Sequence, residues 1–252
     1  GGVGRNFGIQ NCDLLLALGT RLSGRITGGR PETFARGAKR YLIDVDRGLL
    51  DPHYQPQLFH VSALCDVGRF LKEVLFYYYA KGSHYNGNNP QPEPDHSKWM
   101  LQVKGWRQVY DPVVRRDLLS ETSSGGVHPY LFVRELSRLT PSNAVIINDC
   151  GGNAVVCNHS WLTKHGQRYF SNNGNSPMGF SFSAAIGAWF ANPERPIICI
   201  IGDGGFCVNL QELQTLVNYN IPVKTFILDN RCYGITKAYQ ATNMGGRFEA
   251  CS

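Results

Sequence analysis

The sequence predicts an α/β protein of two parallel-sheet, doubly wound domains, and three observations predict it. Short runs such as Asp13–Gly19, Arg40–Asp46, Ala144–Asn148 and Pro196–Ile201 are apolar with little alternation, as strands buried on both faces are. Segments long enough for helices separate them, which implies parallel crossovers rather than hairpins. Between Tyr79 and Gly125 the texture changes to Gly, Asn and Pro, the composition of an exposed linker. The expected domains are residues 1–79, a linker with a helix at 80–124, and residues 125–252.

In the first domain, Asp13–Gly19 reads as a strand ending in glycine, Arg40–Asp46 as a strand ending in acids, and Leu58–Leu64 as a third strand. Asp66–Leu75 has an amphipathic helical pattern, and Tyr77-Tyr-Tyr79 ends it. Gly82–Asp95 is too polar to bury itself and reads as the linker proper. Ser97–Leu119 is expected to be helical, with Trp99, Val103 and Trp106 on one packing face.

In the second domain, His128-Pro129 opens a helix over Tyr130–Leu139, with His128 read as a helix-start residue and not a catalyst. Ala144–Asn148 is a buried strand and Asp149–Asn153 its turn. Asn172–Gly187 is a polar loop entering a helix of small residues, Ser183, Ala184, Ala185, Gly187 and Ala188, which lets the helix approach a sheet closely. Strand, glycine turn, helix and strand then follow over Ile197–Gly234. The helix is expected from Asn209 to Val217, with Leu210, Leu213, Leu216 and Val217 as its apolar stripe.

Chemistry is concentrated in that last unit. Asp203 closes one strand, and Asn230 closes the next, 27 positions later. Parallel strands joined by a crossover end on the same edge, where open α/β sheets bind ligands. A carboxylate and an amide oxygen there suit an octahedral, oxygen-liganded cation such as Mg²⁺. The glycines beside Asp203 leave backbone N–H groups free to meet a phosphate, and the following helix offers its positive end. Gly202-Asp-Gly204 alone reads more simply as a glycine-rich turn with a capping Asp; the matching strand end at Asn230 narrows that difference.

Composition bounds the alternatives. The 252 residues are 42% hydrophobic and 17% charged, ordinary globular values. No uninterrupted apolar run approaches the roughly 18 residues that would span a bilayer. The net charge is +6, with Arg5, Arg21, Arg25, Arg30, Arg36, Lys39 and Arg40 clustered early. Without interleaved aromatics this reads as a solvated face or a site for a phosphorylated small molecule, not a nucleic-acid surface. Eight cysteines include no C-x-x-C pair, so they are expected to be reduced and buried, as in a cytoplasmic protein. The opening Gly-Gly-Val-Gly, without Met or a leader pattern, suggests a fragment or a processed product.

Gly202-Asp203-Gly204 with Asn230 resembles the thiamine diphosphate-binding motif of the acetohydroxyacid synthase and pyruvate decarboxylase superfamily. The motif usually closes with Asn-Asn, where this chain has Asp229-Asn230. The resemblance implies that Asp203, Asn230 and the Cys232 carbonyl hold Mg²⁺. It implies diphosphate contacts at Gly204, Gly205 and the turn Asn230, Cys232, Tyr233, Gly234 and Ile235. It also nominates Gly152 and Asn153, where the family more often carries Gln-His. Met178, 25 positions before Asp203, matches the apolar residue that props the cofactor in a bent form, with Ser176 and Pro177 beside it.

The first domain resembles the middle domain of acetohydroxyacid synthases at Gly19–Gly28, Ile43–Asp46 and Cys65–Val67. In relatives that bind FAD these places contact the flavin nucleotide. This nominates Gly19, Thr20, Arg21, Leu22, Ser23, Gly24, Arg25, Asp44, Val45, Asp66 and Val67; other relatives hold no flavin there, or a different nucleotide. The implied function is a thiamine diphosphate- and Mg²⁺-dependent decarboxylation of a 2-oxo acid, pyruvate first, with carboligation to a second carbonyl. The implied assembly is a homodimer or homotetramer whose site is completed by another subunit's pyrimidine-binding domain. That domain carries the activating glutamate, and no residue here matches it, so the 252 residues alone are expected to bind cofactor weakly without turnover. Ala238-Tyr-Gln240 stands where the family usually has Trp-Glu. That opens the reading to another 2-oxo acid or a sugar-linked substrate. A non-catalytic nucleotide-binding module on the same fold is the alternative of a different class.

Overall fold

The structure is a computed structural model that describes residues 3–51, 58–81, 85–86, 89–90, 95–114 and 126–251. These fall into two compact units, Gly2–Asp111 and Pro112–Ser252.

The first unit runs α1 (Val3–Gln10), β1 (Leu14–Leu18), α2 (Gly24–Thr27), β2 (Lys39–Asp44), β3 (Val61–Leu64), α3 (Val67–Lys81), the two-residue strands β4 (Tyr85–Asn86) and β5 (Asn89–Pro90), and α4 (Ser97–Val109). Strands β1, β2 and β3 form a parallel sheet in that order, with Leu18 opposite Ile43 and Ile43 opposite Ala63. All three predicted strands are there with shifted ends, but the expected burial on both faces holds only for the second half of β2: Leu14 and Leu16 of β1 and every residue of β3 are exposed among the described residues. Ala17, Leu22, Phe34, Ala35, Ala38, Leu42 and Leu58 form the core. Helix α4 packs on α1 through its predicted face: Phe7 and Trp106 rings lie 5.7 Å apart, and Trp99 meets Trp106 edge-on at 5.8 Å. The helices come close because residue 4 is glycine; a β-carbon there would lie 2.8 Å from the Trp106 carbonyl oxygen.

Three further expectations for this unit need correction. Helix α3 continues through Tyr77–Tyr79 to Lys81, and Leu71, Val74, Leu75 and Phe76 on it are exposed. Its start lies by the end of β1, where a β-carbon on Gly19 would be 3.4 Å from Val67 Cγ2, and its apolar stripe is not buried by the described residues. Helix α4 ends at Val109, not Leu119, because Asp111 precedes Pro112 and a residue before proline avoids the helical region. Within the expected linker, 85–86 and 89–90 pair antiparallel; residues 82–84, 87–88, 91–94 and 115–125 lie outside the described residues.

The second unit runs α5 (Pro129–Leu139), β6 (Val145–Asn148), α6 (Gly151–Ser160), β7 (Arg168–Phe170), α7 (Phe180–Ala191), β8 (Ile197–Gly202), α8 (Asp203–Val208), α9 (Leu213–Tyr219), β9 (Lys224–Leu228) and α10 (Gly234–Asn243). Its sheet is parallel in the order β7-β6-β8-β9. The chain steps outward from β6 to β7 and then back across to β8. The order therefore reverses between β6 and β8, and ligands bind at the carboxyl ends beside such a switch point. One sheet face packs Ile146, Ile198 and Ile200 against Val133, Val156, Cys157 and Trp161 of the α5–α6 layer. The other packs Val145, Ile147, Cys199 and Ile201 against Phe182 and Ala185 of α7. The alternation of the central strands β6 and β8 between two covered faces is why the sequence shows continuous apolar runs there.

The segment after β8 differs from expectation. Helix begins at Asp203 itself, so Gly204 and Gly205 lie in a first helical turn, not a loop. The helical path then breaks at Asn209, whose side-chain amide donates to the Gly179 carbonyl at 3.0 Å and to Ser183 Oγ at 3.1 Å. A short 3-10 turn at Leu210–Glu212 precedes α9. The predicted four-residue stripe is therefore split: Leu216 packs into the core, while Leu210, Leu213 and Val217 are exposed. The cysteines are all free, but only Cys157, Cys199 and Cys251 are buried, and Cys207 is exposed. No helix among the described residues is long and apolar enough to cross a membrane.

Candidate functional site

The carboxyl ends of β8 and β9 are paired, with Gly202 opposite Leu228. The next residues, Asp203 and Asp229, therefore leave the sheet side by side, and Asn230 follows by one. Asp203 is the first residue of α8 and half-buried. Among the described residues its carboxylate has no hydrogen-bond or ion-pair partner. Asp229 Oδ1 accepts the Arg231 N–H at 2.9 Å and Asn230 Oδ1 accepts the Cys232 N–H at 3.2 Å. These two side-chain turns, with Arg231 at φ +56°, fold 229–233 tightly and deliver the chain to the N-terminus of α10 at Gly234. Ile235 follows within α10 and is exposed.

Gly204 is the meeting point of three separate stretches. A β-carbon there would overlap the Tyr233 ring and lie 3.2 Å from Met178 Cε. Met178 and Tyr233, nominated from distant parts of the chain, are thus neighbours over the first turn of α8. Met178 follows a loop bent at Ser176, which has φ +49°; the Ser176 N–H donates to the Asn172 carbonyl at 2.9 Å, and Ser176 Oγ donates to the Asn173 carbonyl. Pro177 joins this bend to Met178, and Gly179 at φ +82° turns the chain into α7.

A residue that sequence reasoning passed over lies at the centre. Asp149, 4% exposed, accepts the Gly179 N–H on Oδ2 and the Ser181 N–H on Oδ1, each at 3.1 Å. It therefore caps α7 from the end of β6. Its own N–H donates to the Ile200 carbonyl on β8 and to Asn153 Oδ1. The readable signal was an acid at the tip of a buried strand, followed by Cys150 and then two glycines. Asn153 is buried, and its Nδ2 has no hydrogen-bond partner among the described residues. Gly152, on the first turn of α6, faces open space.

Cys199 lies behind this cluster, its thiol 3.5 Å from Ser181 Oγ. Burial pushes its pKa up to about 12, so it stays a neutral thiol. Burial also raises Cys157 and Tyr169 above their ordinary values. Among the described residues, no group of three or more His, Cys, Asp or Glu is placed to hold a metal ion by itself. Gln240 does not face outward as a free amide: it donates to the Glu249 carbonyl and accepts the Glu249 N–H.

In the first unit the flavin-nominated residues also gather at strand ends. Gly19, at φ +58°, follows β1 and donates to the Ile43 carbonyl; Thr20–Ser23 lead into α2, and the Arg25 side chain lies outside the described residues. Asp44 is buried and its Oδ1 accepts the Asp46 N–H, while Val45 is exposed. Asp66 Oδ1 accepts the Arg69 N–H at the start of α3, beside Val67.

The donor set of the second unit fits a magnesium diphosphate. An unpartnered carboxylate and an amide oxygen sit at adjoining strand tips. An amide oxygen with one N–H already bound keeps a second lone pair for a cation. The buried Asn153 Nδ2 is a donor without an acceptor among the described residues, and an anion would supply one. Two ten-residue helices, α6 and α10, also begin on this edge.

The chain is similar to known proteins over most of its length. Residues 149–252 match the family described as "Thiamine pyrophosphate enzyme, C-terminal TPP binding domain". The chain is 32% identical over 235 residues to the acetolactate synthase large subunit of Cyanidium caldarium, covering 93% of this chain and 37% of that protein. It is 33% identical over 250 residues to the probable acetolactate synthase large subunit of Methanococcus aeolicus, covering 96% and 39%. Against acetolactate synthase 1, chloroplastic, of Nicotiana tabacum it is 31% identical, covering 95% and 33%. The chain thus spans under two-fifths of the length of these relatives. Residues 149–252 are thus similar to thiamine pyrophosphate enzyme C-terminal domains, and nearly the whole chain is similar to part of acetolactate synthase large subunits.

Proposed function

We propose that the chain is the cofactor-holding part of a thiamine diphosphate- and Mg²⁺-dependent enzyme of acetolactate synthase type, acting on a 2-oxo acid, pyruvate first. Asp203, Asn230 and the Cys232 carbonyl would hold the metal. Gly152, Asn153, Gly204, Gly205, Tyr233, Gly234 and Ile235 would surround the diphosphate, with Ser176, Pro177 and Met178 propping the rest of the cofactor. The cofactor, when bound, supplies the electron sink for loss of carbon dioxide and transfer to a second carbonyl. The residues of this chain bind and orient it. The names of the relatives support the reaction type. The observation that carries the reading is the pairing of Gly202 with Leu228, which puts Asp203 and Asn230 on one edge.

The test is the thermal midpoint of the chain with thiamine diphosphate, with Mg²⁺, and with both. A ligand at 100 times its dissociation constant adds about 2.7 kcal/mol, which is a rise of several degrees for a domain of this size. The rise is expected only with both present. Asp203→Ala is expected to abolish it while leaving the ligand-free midpoint nearly unchanged, since the carboxylate has no partner to lose among the described residues. A full response in Asp203→Ala would overturn the reading. The edge of the first unit at Gly19, Asp44 and Asp66 is proposed as a nucleotide-facing edge. FAD is the ligand to try there, with quenching of flavin fluorescence on binding as the measurement.

A further inference from the structure

Met178 owes its place over Gly204 to the peptide that follows it. The N–H of that peptide, on Gly179, is held by Asp149 Oδ2 at 3.1 Å, and the Gly179 carbonyl accepts from Asn209 Nδ2 at 3.0 Å. Asp149 belongs to the tip of β6, and Asn209 closes α8. The two side chains therefore grip Gly179 from the strand on one side and from the Gly-Asp-Gly helix on the other. The fit leaves no slack. A β-carbon on residue 179 would lie 2.7 Å from Asn209 Nδ2 and 3.0 Å from the Gly205 carbonyl oxygen, and one on residue 205 would overlap Asp149 Oδ2. Asp149 is in turn fixed by its own N–H bond to Ile200 on β8. A buried carboxylate with two N–H donors at the start of a twelve-residue helix is well stabilised, so the clamp is rigid.

We propose that Asp149 is a positioning residue that, with Asn209, sets the height of Met178 over Gly204 and so shapes the site for the organic part of the cofactor and not for its phosphates. This rests on the cofactor reading above. Asp149 itself touches no ligand; it acts through the Met178–Gly179 peptide. Asp149→Asn keeps the shape but turns one acceptor into a donor facing an N–H. Asp149→Ala removes both bonds. Asn209→Ala removes the second jaw and leaves the Asp149 carboxylate with both of its N–H donors.

The experiment compares two ligands on the full chain, each with Mg²⁺: thiamine diphosphate, and inorganic pyrophosphate, which has nothing for Met178 to touch. A positioning role predicts about tenfold weaker binding of thiamine diphosphate in Asp149→Asn and a larger loss in Asp149→Ala. Pyrophosphate binding is expected to stay within about twofold of wild type. Asn209→Ala is expected to show the same split, and it decides the matter should the Asp149 variants fail to fold. Equal weakening of both ligands would mean a merely structural role and would overturn the proposal, as would no weakening of either. Failure of the cofactor reading is distinguishable, because the wild-type chain would then bind neither ligand; that result sinks both.

Discussion

Asp149 and Gly205 are in contact across the switch point of the second sheet: the place a β-carbon on residue 205 would take is already filled by the Asp149 carboxylate. The glycine there meets a packing demand, since its φ is not left-handed. Gly205→Ala is therefore expected to destabilise the chain by about 1–3 kcal/mol, the usual cost of overpacking. Urea unfolding midpoints would measure it. A neutral substitution would show that Asp149 can move away freely, which its bonds to Gly179 and Ser181 argue against.

Gly152 makes the contrast. It lies in α6, nothing stands within 4 Å of its missing β-carbon, and its φ is ordinary. Gly152→Ala should raise stability by roughly 0.4–1 kcal/mol by narrowing the unfolded ensemble. Any accompanying loss of thiamine diphosphate affinity would then report on the ligand alone, because the fold itself has been strengthened.

The two halves of the broken helical stripe should also differ. Leu216 packs into the core beside α7, while the adjacent Val217 is 70% exposed. Leu216→Ala is expected to cost about 2–3 kcal/mol. Val217→Ala should fall within about 0.5 kcal/mol of wild type. Denaturation of both variants under one condition separates them, and equal costs would contradict the assigned face.

Cys199 predicts an alkaline limb. Its folded pKa is raised from 9.0 to about 12 by burial. The unfolded thiol ionises first, so the folded state holds the extra proton above the ordinary value. The stabilisation is complete below about pH 9 and is lost as pH rises towards 12. The unfolding midpoint of wild type should fall across that window more steeply than that of Cys199→Ala. In the native chain the exposed Cys207 should take an alkylating reagent well before Cys199.

Much of the architecture was legible before any coordinate. Six of the strands were visible as apolar runs; β6 and β8 are covered on both faces and need no polar positions, whereas β1, β3 and β9 carry apolar residues that stay exposed among the described residues. β7, three residues long with Arg168 at its head, was too short and mixed to stand out. Helix α6 was hidden by its small, apolar and polar residues, Gly151–Ser160, which show little periodicity. The Tyr77–Tyr79 run looked like an end and proved to be helix, since aromatic residues tolerate a helix once its hydrogen bonds are running.

The sequence by itself determined which residues close β8 and β9, and that parallel strands would send them off one edge. It did so because chain direction and crossover connections leave little choice. Only the tertiary structure decided that Met178, Gly204 and Tyr233 meet over one helical turn, and that Asp149 holds the peptide that makes this so. Those contacts depend on how far two layers approach each other. That distance is set by glycines and a buried carboxylate acting across the sheet, and nothing local in the chain encodes it.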